Sequence, residues 1–117
     1  MSSSLNLLTA QCQPQTTALS EAELPTWLAL VPGWKPVKYD DMPPAIESHF
    51  AFDNFYQTMA FVNAVAEIAH GQDHHPDLIV SFGACTLRYS THSAGGLTPN
   101  DFICAAQVSA LPEATAA

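Results

Sequence analysis

Hydrophobic residues follow a helical spacing along the longest amphipathic segment of the chain, residues 53–70. Two apolar stripes lie side by side there, so the apolar face is broader than one sheet surface requires. They consist of Phe55, Met59, Val62, Ala66 and Ala69, and of Phe61, Val65 and Ile68. The pattern predicts a long helix with Asp53 as its N-cap and Gly71 at its end. It also predicts that the second stripe packs against another subunit.

Alternating apolar and polar positions predict four strands, arranged as two hairpins on either side of this helix. A turn at residues 40–44 joins the first pair, and Gly83-Ala84 lies between the strands of the second pair. The four segments are residues 34–39, 46–52, 78–82 and 85–90.

Capping residues predict one further helix at each end of this pattern. Ser20 and Glu23 have the spacing of a capping box and precede a short helix over residues 24–31. Thr98 is the expected N-cap of the last helix, with Asp101 at its third position, and Pro112 ends it. The resulting order, α-β-β-α-β-β-α, predicts an α+β fold in which helices cover one face of a four-stranded antiparallel sheet.

The polar, aperiodic residues 1–19 predict a flexible N-terminal tail before a domain at 20–112, with a C-terminal tail at 113–117. The N-terminus has neither the basic start nor the long apolar stretch of a signal peptide. Apolar runs stay well below the ~20 residues needed to span a membrane. We therefore expect a cytoplasmic protein that does not enter membranes.

The charge of the chain limits the ligands that we expect, and its cysteines bear on metal binding and redox chemistry. The chain has 3 Lys and Arg residues against 11 Asp and Glu residues, which gives a net charge of −8. So few cations cannot form a surface that neutralises nucleic-acid phosphates, and the negative charge disfavours binding to anionic lipid. The three cysteines, Cys12, Cys85 and Cys104, have no short metal or redox spacing, and we expect unpaired thiols in a reducing cytosol. The expected ligand is small and not strongly anionic.

Four of the five histidines lie within 23 residues, namely His70, His74, His75 and His92. Such a cluster can donate and accept protons near neutral pH. A metal site is a second interpretation, because His70 and His74 are four residues apart, although Gly71 and Pro76 should end the helix before His74. Capping of turns and helix ends is a third. Spacing alone leaves all three open.

The chain contains the run Asp73-His74-His75-Pro76, followed by His92 17 residues after His75, by Gly96-Leu97 and by Asp101. This set of residues resembles the signature of pterin-4a-carbinolamine dehydratases. The similarity extends over about residues 20–111. It implies the α-β-β-α-β-β-α order and homodimers or homotetramers joined at sheet edges. The family eliminates water from 4a-hydroxytetrahydropterin to give the quinonoid dihydropterin. This chemistry needs acid–base groups but no metal or redox cofactor.

The resemblance carries the family's active-site histidines over to His74, His75 and His92. His74 and His75 are expected to transfer protons, and His92 to orient the hydroxyl or share the transfers. Asp73, Pro76, Asp101 and Phe82 are the expected pterin-binding residues. Asp101 is also explained as a capping carboxylate, and the aromatic residues Trp34 and Phe82 as core.

Two further observations bear on the catalytic role that the resemblance implies. His70 stands where many family members carry an acidic residue, which affects the expected pH optimum more than the activity. Some relatives serve as oligomerisation or assembly partners of other proteins and tend to lose the histidines. This chain retains all three, so catalysis is favoured over that alternative.

Overall fold

The structure is a computed structural model that describes residues 7–114. Its helices and strands follow the predicted order and confirm the α+β fold. They are α1 (Leu24–Leu28), β1 (Lys35–Val37), β2 (Ala45–Ala51), α2 (Phe55–Gln72), β3 (Asp77–Ser81), β4 (Ala84–Tyr89) and α3 (Pro99–Ser109). Short 3₁₀ turns cover His92–Ala94 and Pro112–Ala114. No helix within residues 7–114 combines the length and apolarity that crossing a membrane takes.

The sheet has the strand order β1-β2-β4-β3, and every pair is antiparallel. Both predicted hairpins form, and pairing of β2 with β4 joins them in the centre. Burial alternates along β4: Cys85, Leu87 and Tyr89 point into the core, and the residues between them are only partly covered. This two-residue period is what a sheet covered by helices on one face requires.

α3 is buried almost all round, with eight of its eleven residues inaccessible. The sheet covers one side of α3, and α1 and the N-terminal residues cover others. The ring of Trp27 in α1 lies 5.6 Å from that of Phe102 in α3. The predicted capping box at Thr98 and Asp101 is present. Because α3 is enclosed, polar residues in its first turn face other parts of the protein rather than water.

The inner face of α2 differs from the predicted one. Phe61 and Val65 are fully buried in the subunit's own core, and the Phe61 ring lies 4.6 Å from that of Phe50. The expectation that this stripe contacts another subunit was therefore wrong. The other stripe faces outwards at its start, where Phe55 is 48% exposed. Two stripes of similar hydrophobicity do not reveal which one faces the sheet, because that depends on how the helix is rotated.

The ends of α2 also differ slightly from expectation. Asn54, not Asp53, is the N-cap, and its Oδ1 accepts a 2.8 Å hydrogen bond from the Gln57 backbone N–H. The helix continues through Gly71 to Gln72, and Asp73 is its C-cap, with a left-handed φ of 50°. An aspartate tolerates this conformation better than most side chains do. The turn brings the next residue, His74, back over the helix end.

Residues 10–15, here called the N-terminal strap, lie across the ends of α2 and α3. The Gln72 side chain accepts a hydrogen bond from Cys12 N–H and donates one to the Ala10 carbonyl. The Asn100 side chain makes the same two-way pairing with the backbone of Gln13, at 3.1 and 2.7 Å. The predicted tails, residues 1–19 and 113–117, include residues 1–6 and 115–117, which lie outside the described residues. The domain limits of 20–112 remain a prediction.

Candidate active site

A histidine–aspartate pair joins the end of α2 to the start of α3. His74 Nε2 lies 2.6 Å from Asp101 Oδ1, and the Asp101 side chain is completely buried while that of His74 is 11% exposed. The left-handed turn at Asp73 and the bond from His74 N–H to the Ala69 carbonyl direct the imidazole towards α3. The pair therefore depends on two helix ends that are 27 residues apart in sequence.

Asp101 caps α3 and pairs with His74 at the same time. Its Oδ2 accepts hydrogen bonds from the Thr98 backbone N–H and the Thr91 hydroxyl, both at 2.9 Å, and its Oδ1 faces His74. The Thr91 and Thr98 hydroxyls are also 2.8 Å apart. Three hydrogen-bonding partners thus satisfy the oxygens of this buried carboxylate. The capping and site interpretations of Asp101 are therefore compatible.

The surroundings of His74 favour its protonated form. Burial by itself lowers the pKa of His74, but the hydrogen bond and negative charge of Asp101 act against burial and the net pKa is raised. The imidazole also stacks on Tyr89, with 5.7 Å between ring centres. Since Nε2 carries the proton shared with Asp101, Nδ1 is the nitrogen left for a ligand.

A cavity of about 300 Å³ lies beside this pair, between the strap, the end of α2 and the loop before α3. Its volume is at the lower end of the ~300–1,000 Å³ usual for small-molecule sites. Amide, hydroxyl, carboxylate and imidazole groups make up about half of the wall and apolar groups the other half, which suits a small ligand with polar edges. The lining residues are Cys12, Gln13, Pro14, Gln15, Gln72, Asp73, His74, Thr91, Ser93 and Asn100.

The predicted site residues fall into two groups. The structure brings His74, Asp73 and Asp101 together, the first two in the cavity wall and the third behind His74. His75 and His92 are exposed and lie outside the lining, although His92 stands between the lining residues Thr91 and Ser93. Their roles remain predictions.

The other expected pterin-binding residues lie further from the cavity. Pro76 is half-buried beyond His75. Phe82 is 68% exposed at the opposite end of β3, so its interpretation as a core residue was wrong, and its pterin-binding role remains a prediction. Trp34 belongs to the core, where its indole N–H donates to the Ser109 hydroxyl at 2.9 Å.

Several cavity residues escaped the sequence analysis. The strap is polar and aperiodic, so no pattern connects it with a site. Asn100 was overlooked although it is adjacent to Asp101 in the first turn of α3, and Gln72 although it is the last residue of α2. Polar residues at buried helix ends are the signal that could have indicated both. Among residues 7–114, no three His, Cys, Asp or Glu side chains are arranged to hold a metal ion.

The fold and this pair define an α+β protein with a histidine-based polar site under its last helix. The chain matches the family model "Pterin 4 alpha carbinolamine dehydratase" over residues 17–111. A Xylella fastidiosa protein is 46% identical over 116 residues, which cover 97% of each chain. A Xanthomonas campestris pv. campestris protein is 49% identical over 105 residues, 87% of this chain and 86% of the other. Both are provisionally named pterin-4-alpha-carbinolamine dehydratases. The chain belongs to the pterin-4-alpha-carbinolamine dehydratase family.

Solved structures share the fold. A transcriptional coactivator/pterin dehydratase from Brucella melitensis superposes with a TM-score of 0.73 at 30% identity, covering 80% of this chain and 97% of that one. A pterin dehydratase-like protein, described as a RuBisCO assembly factor in the alpha-carboxysome, gives 0.59 at 23% identity, covering 73% and 93%. The second likeness extends to the fold alone.

Proposed function

We propose that this protein eliminates water from a 4a-hydroxytetrahydropterin and releases the quinonoid dihydropterin. The observation that carries the proposal is His74, which lies in the wall of a small cavity and pairs with the buried Asp101 behind it, in a chain of this family. Such a substrate is small and uncharged at its ring, which agrees with the net charge of −8. The dehydration contributes to recycling of the tetrahydropterin.

The reaction requires two proton transfers. Hydroxide is a poor leaving group, so the 4a-oxygen receives a proton as the C4a–O bond breaks, and the proton on N5 is lost. We assign the first transfer to His74, because Asp101 favours its protonated form and leaves Nδ1 for the substrate. His92, between two lining residues, and His75, next to His74, are the acceptors that the chain offers for the N5 proton. Both steps use side chains alone.

The polar wall supplies groups for binding a pterin. A pterin ring presents an amide-like edge with donors and acceptors, and the carboxylate of Asp73 can accept from the amino group on that edge. The Gln15 side chain and the Ser93 hydroxyl also line the cavity, and the Ser93 hydroxyl is held by the Gln15 carbonyl at 2.8 Å. Pro76 and Phe82 lie outside this wall, and no step of the proposed reaction uses them.

The test is the dehydration rate of a freshly formed 4a-hydroxytetrahydropterin with and without the pure protein. We expect acceleration above the spontaneous rate, and a loss of roughly 10²-fold in His74→Ala, the usual contribution of an acid–base group. His75→Ala and His92→Ala should each lose rate as well. His49→Ala is the matched control, since His49 lies on β2 with its Nδ1 2.8 Å from the Thr86 hydroxyl. A protein that leaves the spontaneous rate unchanged would refute the proposal.

A second candidate role is that of an assembly partner for another protein. All five residues of β3 are exposed, and this edge strand carries Leu78, Ile79 and Val80 in succession. An exposed apolar edge of this kind pairs readily with a further strand. The same edge also favours a homodimer or homotetramer of this chain. Binding of a foreign protein by a variant without dehydratase activity would support this second role.

A further inference from the structure

Two of the three cysteines meet beside the cavity, where Cys12 belongs to the wall and Cys104 lies behind it. The Sγ atom of Cys12 in the strap lies 3.7 Å from the Sγ atom of Cys104 in α3, although the residues are 92 positions apart. We propose that Cys12 and Cys104 form a reversible oxidation site, at which a peroxide converts the two thiols into a disulfide that fastens the strap to α3. This modification is separate from the proposed dehydration.

The two thiols differ in access. Cys12 is half-buried and lines the cavity, while Cys104 is fully enclosed. A small oxidant entering the cavity therefore meets Cys12 first, and Cys104 can react only with the sulfur already beside it. An accessible cysteine next to an enclosed second thiol is the arrangement found at redox-sensing sites.

The electrostatics support the same order of events. The hydrogen bond from the Cys104 thiol lowers the pKa of Cys12, burial acts against this, and the nearby His74 lowers it further. That hydrogen bond, together with burial, raises the pKa of Cys104. The thiolate is the form that attacks an oxidant. Cys12 is thus the attacking sulfur and Cys104 the resolving one.

The bond needs only a small movement. A disulfide has an S–S length of ~2.05 Å, so the sulfurs must approach by roughly 1.7 Å. Cys12 belongs to neither a helix nor a strand, and its backbone is held chiefly by side chains such as Gln72. We therefore expect the strap, rather than the sheet or the body of α3, to make the movement.

The chemistry balances with a peroxide as the oxidant. The Cys12 thiolate attacks one peroxide oxygen, the O–O bond breaks, and the products are a Cys12 sulfenic acid and, after protonation, water. The Cys104 sulfur then attacks the Cys12 sulfur, its proton joins the departing hydroxide, and a second water leaves. The two thiols lose two electrons and two protons in total, and a dithiol reductant reverses the change.

Cys85 provides an internal control. It is fully buried on β4, and burial raises its pKa to about 11. It should therefore remain a free thiol under conditions that oxidise the other two.

The experiment treats the full chain with hydrogen peroxide, then quenches, unfolds and alkylates it before peptide mass mapping. We expect loss of two of the three alkylatable thiols, an intramolecular peptide pair containing Cys12 and Cys104, and full recovery with dithiothreitol. Cys85→Ser should form the same pair, and Cys12→Ser should not. In Cys104→Ser, Cys12 should accumulate as sulfinic acid. The proposal would be overturned by three free thiols, by a disulfide that includes Cys85, or by disulfides only between chains. The peptide map of the wild-type protein distinguishes these outcomes without any variant.

Discussion

His74 Nε2 lies 2.6 Å from Asp101 Oδ1, and the other oxygen of that carboxylate caps α3 through the Thr98 backbone. One side chain thereby fixes the start of a helix and the protonation of a histidine in the cavity wall. A change at Asp101 should therefore remove the helix cap and the partner of His74 together, whereas a change at His74 should leave the cap of α3 in place.

The raised pKa of His74 predicts a pH-dependent contribution to stability. The folded state favours protonated His74, so this contribution is complete below the unfolded pKa of 6.5 and is lost as the pH rises through the higher folded value. Asp101, Cys12 and Asp73 are the groups that raise it. We expect the free energy of unfolding of wild type minus that of His74→Gln to decrease between about pH 6 and pH 9. Urea titrations measure it, and a difference that is constant over this range would contradict the prediction.

The two stripes of α2 predict opposite responses to truncation. Phe61 is fully buried against Phe50 and Phe52, so Phe61→Ala should cost about 3–5 kcal/mol of unfolding free energy. Phe55 is 48% exposed, and Phe55→Ala should cost less than about 1 kcal/mol. Denaturant unfolding of both variants measures these two losses of unfolding free energy. Equal losses would mean that the helix is rotated differently from the structure.

The edge strand β3 predicts how subunits associate. Ile79 is 50% exposed in the centre of that strand, and a lysine there would place charge in any edge-to-edge contact. Ile79→Lys should reduce the oligomer size in light scattering and leave the circular dichroism unchanged. Ala22→Lys is the control, an exposed alanine before α1. A monomeric wild-type protein at micromolar concentration would refute this prediction.

The hydrogen bonds of Asn100 predict how firmly the strap is held. Its amide holds both backbone groups of Gln13, and the side chain is almost completely buried. Asn100→Ala should cost about 2 kcal/mol and should increase hydrogen exchange or proteolysis at residues 10–15. Asn63→Ala, on the exposed side of α2, should change neither. Unchanged protection of the strap in Asn100→Ala would show that Gln72 and Gln107 suffice to hold it.

The order of the elements could be predicted because each carries a local signal. Alternation marks β2 and β4, and the capping box at Thr98 and Asp101 marks the start of α3. The same capping signature concealed the pairing of Asp101 with His74, since a cap already explains an aspartate at that position. The pairing depends on how two helix ends meet, and neither end reveals the other in sequence.

The strap could not be predicted for a related reason. Its contacts join Gln13 to Asn100 and Ala10 to Gln107, residues 87 and 97 apart, and its own composition is typical of an unstructured segment. Helical or strand periodicity reports only on neighbours within a few residues. The orientation of α2 was missed for a different reason, because both of its stripes satisfied the same pattern.

The position of the strap has a consequence for synthesis of the chain on the ribosome. Residues 10–15 are made well before Asn100 and Gln107, which hold them. At 5–20 residues per second, the strap waits roughly 4–18 s for its partners. The cavity wall and the His74–Asp101 pair both need α3, so neither forms before α3 has been made. A nascent chain that stops short of α3 carries the histidines without the site.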